Sequence, residues 1–164
     1  MNVKRMTRLS LLTAVSLILY TAEAQIPPPV PLPGVKLGLA NIVTVYAIFR
    51  FGPGDALMVL LARVLLGSMV TGAVSSLIFS LSGGLLCWLA TLPLRRVLTR
   101  RQIWVCGVIG AVFHNIGQLS ACAAVYGTTA VFAYFPALTL SGIITGLFTG
   151  LSATFLIGRL ENNN

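Results

Sequence analysis

Residues 103–126 read IWVCGVIGAVFHNIGQLSACAAVY, a run with no charged side chain and a polar knot at His114, Asn115 and Gln118 near its middle. A helix needs roughly 20 apolar residues to cross a bilayer core about 30 Å thick. Inside hydrocarbon every backbone N–H and C=O must be satisfied, which makes a helix the solution for a single segment. The stretch therefore reads as a membrane-spanning helix, and much of the chain reads the same way. Apolar runs bounded by charge, Pro or Gly recur at about 9–24, 37–50, 55–71, 73–94 and 131–158. Of the 164 residues, 57% are hydrophobic and 9% charged, whereas a soluble domain carries roughly a quarter charged residues. The predicted fold is all-α: one integral membrane domain over 1–164, a polytopic bundle of about six transmembrane helices. The runs at 37–50 and 55–71 are short for full spans. A re-entrant or mismatched pair around Phe51-Gly52-Pro53-Gly54, leaving five or four spans, is the competing arrangement.

The net charge of +8 comes from basic residues spaced between apolar runs, too few and too scattered for a nucleic-acid stripe. They sort by topology instead. With six spans, Lys4, Arg5, Arg8, Arg50, Arg95, Arg96, Arg100, Arg101 and Arg159 fall on one side and only Lys36 on the other. Cytoplasmic loops hold Lys and Arg in excess, so both termini and the basic loop 95–102 are expected inside a cytoplasmic membrane, and the Pro-rich loop 25–36 outside. The first run has a rival reading, because a basic start, an apolar stretch and Ala22-Glu23-Ala24 also make a cleavable secretory signal. Residue 25 emerges outside under either. The loop Ile26–Gly34, rich in Pro, cannot be helical; it is either a connector or a lid over an outward-facing site. Cys87, Cys106 and Cys122 lie in apolar runs without CxxC spacing and read as small packing residues.

Arg63 falls mid-run, where an unpaired cation costs several kcal/mol, so it has to face the bundle interior, a carboxylate or an aqueous cavity. Asp55 stands too far along the same helix to pair with it, which leaves Glu23 as a candidate partner. His114, Asn115 and Gln118 put an imidazole and two amides on neighbouring faces of one helix. The set suits either a polar ligand or an interhelical hydrogen-bond clamp. A lone His with no second ligand gives no metal site. Lys36 and Asn41 can add to a site reached from outside, although snorkelling is the simpler account of Lys36. Gly142, Gly146 and Gly150 form a small-residue stripe, read as internal packing or as a docking face; Ser10 and Ala14 offer a similar surface on the first helix. Leu81-Ser82-Gly83-Gly84 and Leu140-Ser141-Gly142 form a short internal echo of the kind that duplication or chance leaves.

Taken together, Pro33–Ile42 (PGVKLGLANI), Arg63–Ser68 (RVLLGS), Phe79–Gly84 (FSLSGG) and His114–Leu119 (HNIGQL) resemble the Gx transporter family, also labelled heptaprenyl diphosphate synthase component I. The resemblance runs from about residue 9 to 157. It implies a small membrane protein similar to the substrate-binding S component of energy-coupling factor transporters, which captures a small molecule outside and docks on a transmembrane subunit with ATPases. By that analogy Lys36, Asn41, Arg63, His114, Asn115 and Gln118 are ligand contacts. The docking surface is usually Ala-xxx-Ala, to which Ser10 and Ala14 are a degenerate match.

Prenyl elongation needs magnesium held by clustered carboxylates. The three acids, Glu23, Asp55 and Glu161, are scattered, and there is neither a DDxxD string nor a Walker loop. The chain is therefore expected to be no enzyme and to carry no cofactor. Two functions remain: a substrate-binding or permease subunit for a small, amphipathic or anionic metabolite, linked by the family label to isoprenoid or quinone metabolism, and a noncatalytic membrane subunit that recruits a soluble prenyl synthase.

Overall fold

A computed structural model describes residues 2–27, 36–72, 74–99 and 102–161. Most of the Pro-rich loop expected at 25–36, Arg100 and Arg101 of the basic loop and the Asn162–Asn164 tail lie outside the described residues. The fold is all-helical: α1 (Val3–Glu23), α2 (Asn41–Arg50), α3 (Pro53–Thr71), α4 (Val74–Val97), α5 (Ile103–Tyr126) and α6 (Phe135–Glu161), with a 3-10 segment at Thr129–Tyr134 before α6. Four stretches, Pro53–Thr71, Ser75–Val97, Ile103–Tyr126 and Thr129–Arg159, are long and apolar enough to cross a membrane. Large apolar side chains turned outward, such as Met69, Phe148 and Phe155, suit the lipid such spans would meet.

Helix α5 sits between α4 and α6, α1 lies along α3, and α2 is tucked among α3, α4, α5 and α6. The α5–α6 seam is a glycine seam. A Cβ on Gly107 would run into the Gly146 carbonyl and Gly150, and one on Gly150 would lie 2.6 Å from the Trp104 backbone. The Gly142, Gly146, Gly150 stripe is thus spent on internal packing, where small residues let backbones approach. Gly83 and Gly142, the glycines of the internal echo, flank α5 from its two sides, the first against His114 and the second against Asn115.

Two boundaries differ from the sequence reading for physical reasons. α1 starts at Val3, ahead of the apolar run, because the Asn2 side chain accepts a hydrogen bond from the Lys4 N–H and caps the basic first turns. α2 starts at Asn41, not 37, because Gly38 takes φ +85° and the chain over 36–40 forms a strap, buried at Gly38 and Ala40 and half-buried at Lys36, Leu37 and Leu39. At ten residues α2 rises only about 15 Å, half a bilayer core. Strap and α2 together carry the chain down the interior of the bundle. That path is tolerated because it is enclosed by protein: Asn41, Val43, Thr44, Val45, Tyr46, Ala47 and Ile48 are all buried.

Several of the arginines gather at the end of the bundle where α2 turns into α3. Arg5 Nε donates to Asp55 Oδ1 at 2.9 Å, and Arg8 and Arg50 lie 4.6 and 5.7 Å from the Phe51 ring centroid. Arg95 approaches Gly52, whose φ of +110° turns α2 into α3. Arg159 belongs to the last turn of α6, beside Ile157, which packs in one cluster with Phe51 and Leu98.

Candidate functional site

The site begins with the strap. Lys36 N–H donates to Gln118 Oε1 on α5 (3.2 Å), Gly38 N–H to Glu23 Oε1 on α1, and Thr145 Oγ1 on α6 donates to the Leu37 carbonyl (3.5 Å). Ser16 on α1 donates to the Ala40 carbonyl. The Lys36 and Gly38 N–H groups, which have no helix to serve them, are thus satisfied by side chains of α5 and α1. The Ala40 carbonyl also accepts from Val43 N–H of α2 (3.3 Å), and the Thr145 hydroxyl lies closer to the Ser141 carbonyl of its own helix (3.0 Å). Gly38 has to be glycine twice over: its φ is left-handed, and a Cβ there would lie 2.9 Å from Asn41 Nδ2 and 3.0 Å from the His114 ring.

Around this strap the structure builds two polar groups that meet at Gly38. In the first, Tyr20 is its platform. The ring packs on Gly67, its hydroxyl is 2.8 Å from Ser76 Oγ, Lys36 Nζ lies 3.3 Å above the ring centroid and Arg63 Cζ 5.9 Å from it. Arg63 is 2% exposed and its Nη2 donates to Asn41 Oδ1 at 3.5 Å. Glu23, 4% exposed, supplies the nearby negative charge. The expected Arg63–Glu23 bridge does not close to ion-pair distance; among the described residues the only ion pair is Arg5–Asp55. Arg63 Nε, Asn41 Nδ2 and Lys36 Nζ are buried without a hydrogen-bond partner. Lys36 does not snorkel, because its ammonium points inward onto Tyr20.

The second group is a clamp. Since Gln118 Oε1 accepts from Lys36, its Nε2 is the atom 2.9 Å from His114 Nε2, and it donates there. His114 then carries its proton on Nδ1, which lies against Gly83 of α4 and is buried without a hydrogen-bond partner. Asn115 Nδ2 donates to the Leu138 carbonyl of α6 at 2.6 Å. Hydrogen bonds from the knot in α5 thus reach α6 and the strap, while the imidazole packs against Gly83 of α4.

The structure therefore brings Lys36, Asn41 and Arg63 together on Tyr20, and sets His114 and Gln118 behind the strap, with Asn115 turned to α6. Sequence reading passed over Tyr20, Ser16, Gly38 and Ser76. A Tyr near a helix end suits a membrane interface. Its spacing from Glu23, three positions on, was the available signal. Ser10 and Ala14 lie apart from all of this, lining an outward apolar groove of about 700 Å³ between α1 and α3.

Residues 12–156 match the family described as heptaprenyl diphosphate synthase component I. The chain belongs to that family. No curated protein matches it. In this member of the heptaprenyl diphosphate synthase component I family the matched range includes every residue of the strap and of both polar groups, from Ser16 to Thr145. It begins two positions after Ser10.

Proposed function

We propose that the protein is a membrane substrate-binding subunit, of the permease type, which takes up a small metabolite through its anionic group. The observation that carries this reading is the set of buried, unpartnered donors, Arg63 Nε, Asn41 Nδ2 and Lys36 Nζ, at the amino end of the half-length helix α2. Interrupted helices that aim their positive amino ends at an anion are how membrane transporters hold carboxylates. Two cations face one carboxylate here, so a monoanion balances the charge. Tyr20 and the apolar walls would hold the remainder of the ligand, while His114 and Gln118 orient the strap and Asn115 anchors α5 to α6.

The charge sorting supports an orientation with the arginine end, and with it both termini, in the cytoplasm. In this reading the strap is reached from outside. Uptake needs an energy source that the chain does not encode, and a transmembrane subunit with ATPases, docked along the Ser10 and Ala14 groove, would supply it. Binding of candidate organic anions to the purified protein tests the proposal. Arg63→Gln is expected to weaken the best ligand by at least tenfold with an unchanged unfolding midpoint, and equal affinity in both proteins would overturn it.

A second reading rests on the family description: a noncatalytic membrane subunit that holds a soluble prenyl synthase at the lipid. What supports its noncatalytic part is the separation of the acids, with Asp55 held by Arg5 and Glu23 by Gly38 at the far end of α1. Co-purification separates the readings, with an ATPase module favouring the first and a soluble synthase the second.

A further inference from the structure

The arginine end holds a second concavity, remote from the strap. Between the first turns of α3 and the last turns of α4 lies a cleft of about 680 Å³, with Leu57, Trp88 and Leu92 as its floor and Gly54, Arg95 and Arg96 at its rim. The floor is apolar by construction. Trp88 Nε1 donates to the Pro53 carbonyl at 3.0 Å, which fixes the indole and uses up its one polar atom. Gly54 has open space where its Cβ would stand, so a ligand can approach the amino end of α3 closely. The Asp55 carboxylate on the same turn is held by Arg5, toward α1. Arg95 and Arg96 are exposed and form no ion pair among the described residues.

An apolar floor beneath two free guanidinium groups and a helix amino end matches a molecule with a phosphate at one end and hydrocarbon at the other. A soluble anion would leave Leu57, Trp88 and Leu92 uncovered. A zwitterionic lipid would set its own cation against the arginines. Basic pockets between membrane helices at the headgroup level hold acidic lipids for these reasons. We propose that the cleft binds one acidic phospholipid of the adjoining leaflet, its phosphate between Arg95 and Arg96 and one acyl chain along Leu57, Trp88 and Leu92. This site is independent of the buried donors and of which side of the membrane the arginine end faces.

Native mass spectrometry of the full chain in neutral detergent, titrated with phosphatidylglycerol or with phosphatidylcholine of the same chains, tests it. The expected result is one retained phosphatidylglycerol with at least a tenfold preference over phosphatidylcholine. Arg95→Gln/Arg96→Gln should abolish that preference, Leu57→Trp should weaken phosphatidylglycerol several-fold by filling the floor, and Arg159→Gln, at the same end but off the cleft, should change nothing. Equal retention of the two lipids overturns the proposal. So does an equal loss of preference in Arg159→Gln, which would mean diffuse charge, or complete displacement of the lipid by inorganic phosphate, which would mean a soluble-anion site. Should the double arginine variant fail to fold, the lipid preference of the unaltered chain and the Leu57→Trp result still decide.

Discussion

Arg63 holds a positive charge in the middle of the bundle on a 3.5 Å hydrogen bond to Asn41 and the face of Tyr20, without an ion-paired carboxylate. Burying a charge on such terms costs stability, and apolar replacements of buried ions are often neutral or stabilising. Arg63→Met is therefore expected to leave the thermal unfolding midpoint in detergent unchanged or raised while removing anion binding. A midpoint that falls as far as that of a strained variant would make Arg63 structural. Gly38→Ala supplies that comparison: with φ +85° and a Cβ pressed on Asn41 and His114, it should cost about 1–3 kcal/mol by denaturant titration. Arg63, His114, Asn115 and Gln118 stood out in the sequence because a polar residue in an apolar run has to be explained. Lys36 was a candidate whose simpler account was snorkelling, and Tyr20 did not stand out, since a Tyr near a span end has an ordinary explanation at the interface.

Among the elements, α5 was legible to the residue, because charge or a turn bounds its apolar run at each end. α2 was not: a window of hydropathy sees an apolar stretch over 37–50 and cannot see that Gly38 unwinds its first turn. The α5–α6 seam makes a sharp contrast between glycines. Gly107→Leu should lower stability by about 3 kcal/mol or more, since its neighbours are backbone atoms that cannot yield. Gly158→Ala, at a helical position with nothing within 4 Å, should raise it by about 0.5–1 kcal/mol. α1 matters equally at its far end, where Tyr20 and Glu23 hold Lys36 and Gly38. Removal of residues 1–24 would strip both supports, so mass spectrometry of the mature protein is expected to find the N-terminus upstream of α1. A start at residue 25 would mean that the strap is held some other way.

At the scale of the molecule, part of the charge pattern was readable, since Arg5, Arg8, Arg50 and Arg95, which the sequence assigns to one side of the membrane, come together around Asp55, Phe51 and Gly52. Convergence of residues 20, 23, 36, 41 and 63 was not readable, since it depends on how α1, the strap and α3 pack. The three cysteines are buried at 0–1% exposure, so a membrane-impermeant maleimide should leave the native chain unlabelled. Against that silent background, Arg96→Cys should label only from the cytoplasmic side and Thr128→Cys only from outside. The reverse pattern would invert the proposed orientation.

The strap also sets a clock. The amide protons of Lys36 and Gly38 are donated to a carboxamide and a carboxylate inside the bundle, although neither residue is in a helix. In deuterated buffer they should exchange as slowly as the protons of α5, giving a non-helical segment the isotope kinetics of a core helix. Any guest that moved Lys36 would speed up both positions together, in a chain that otherwise keeps its far-ultraviolet spectrum unchanged.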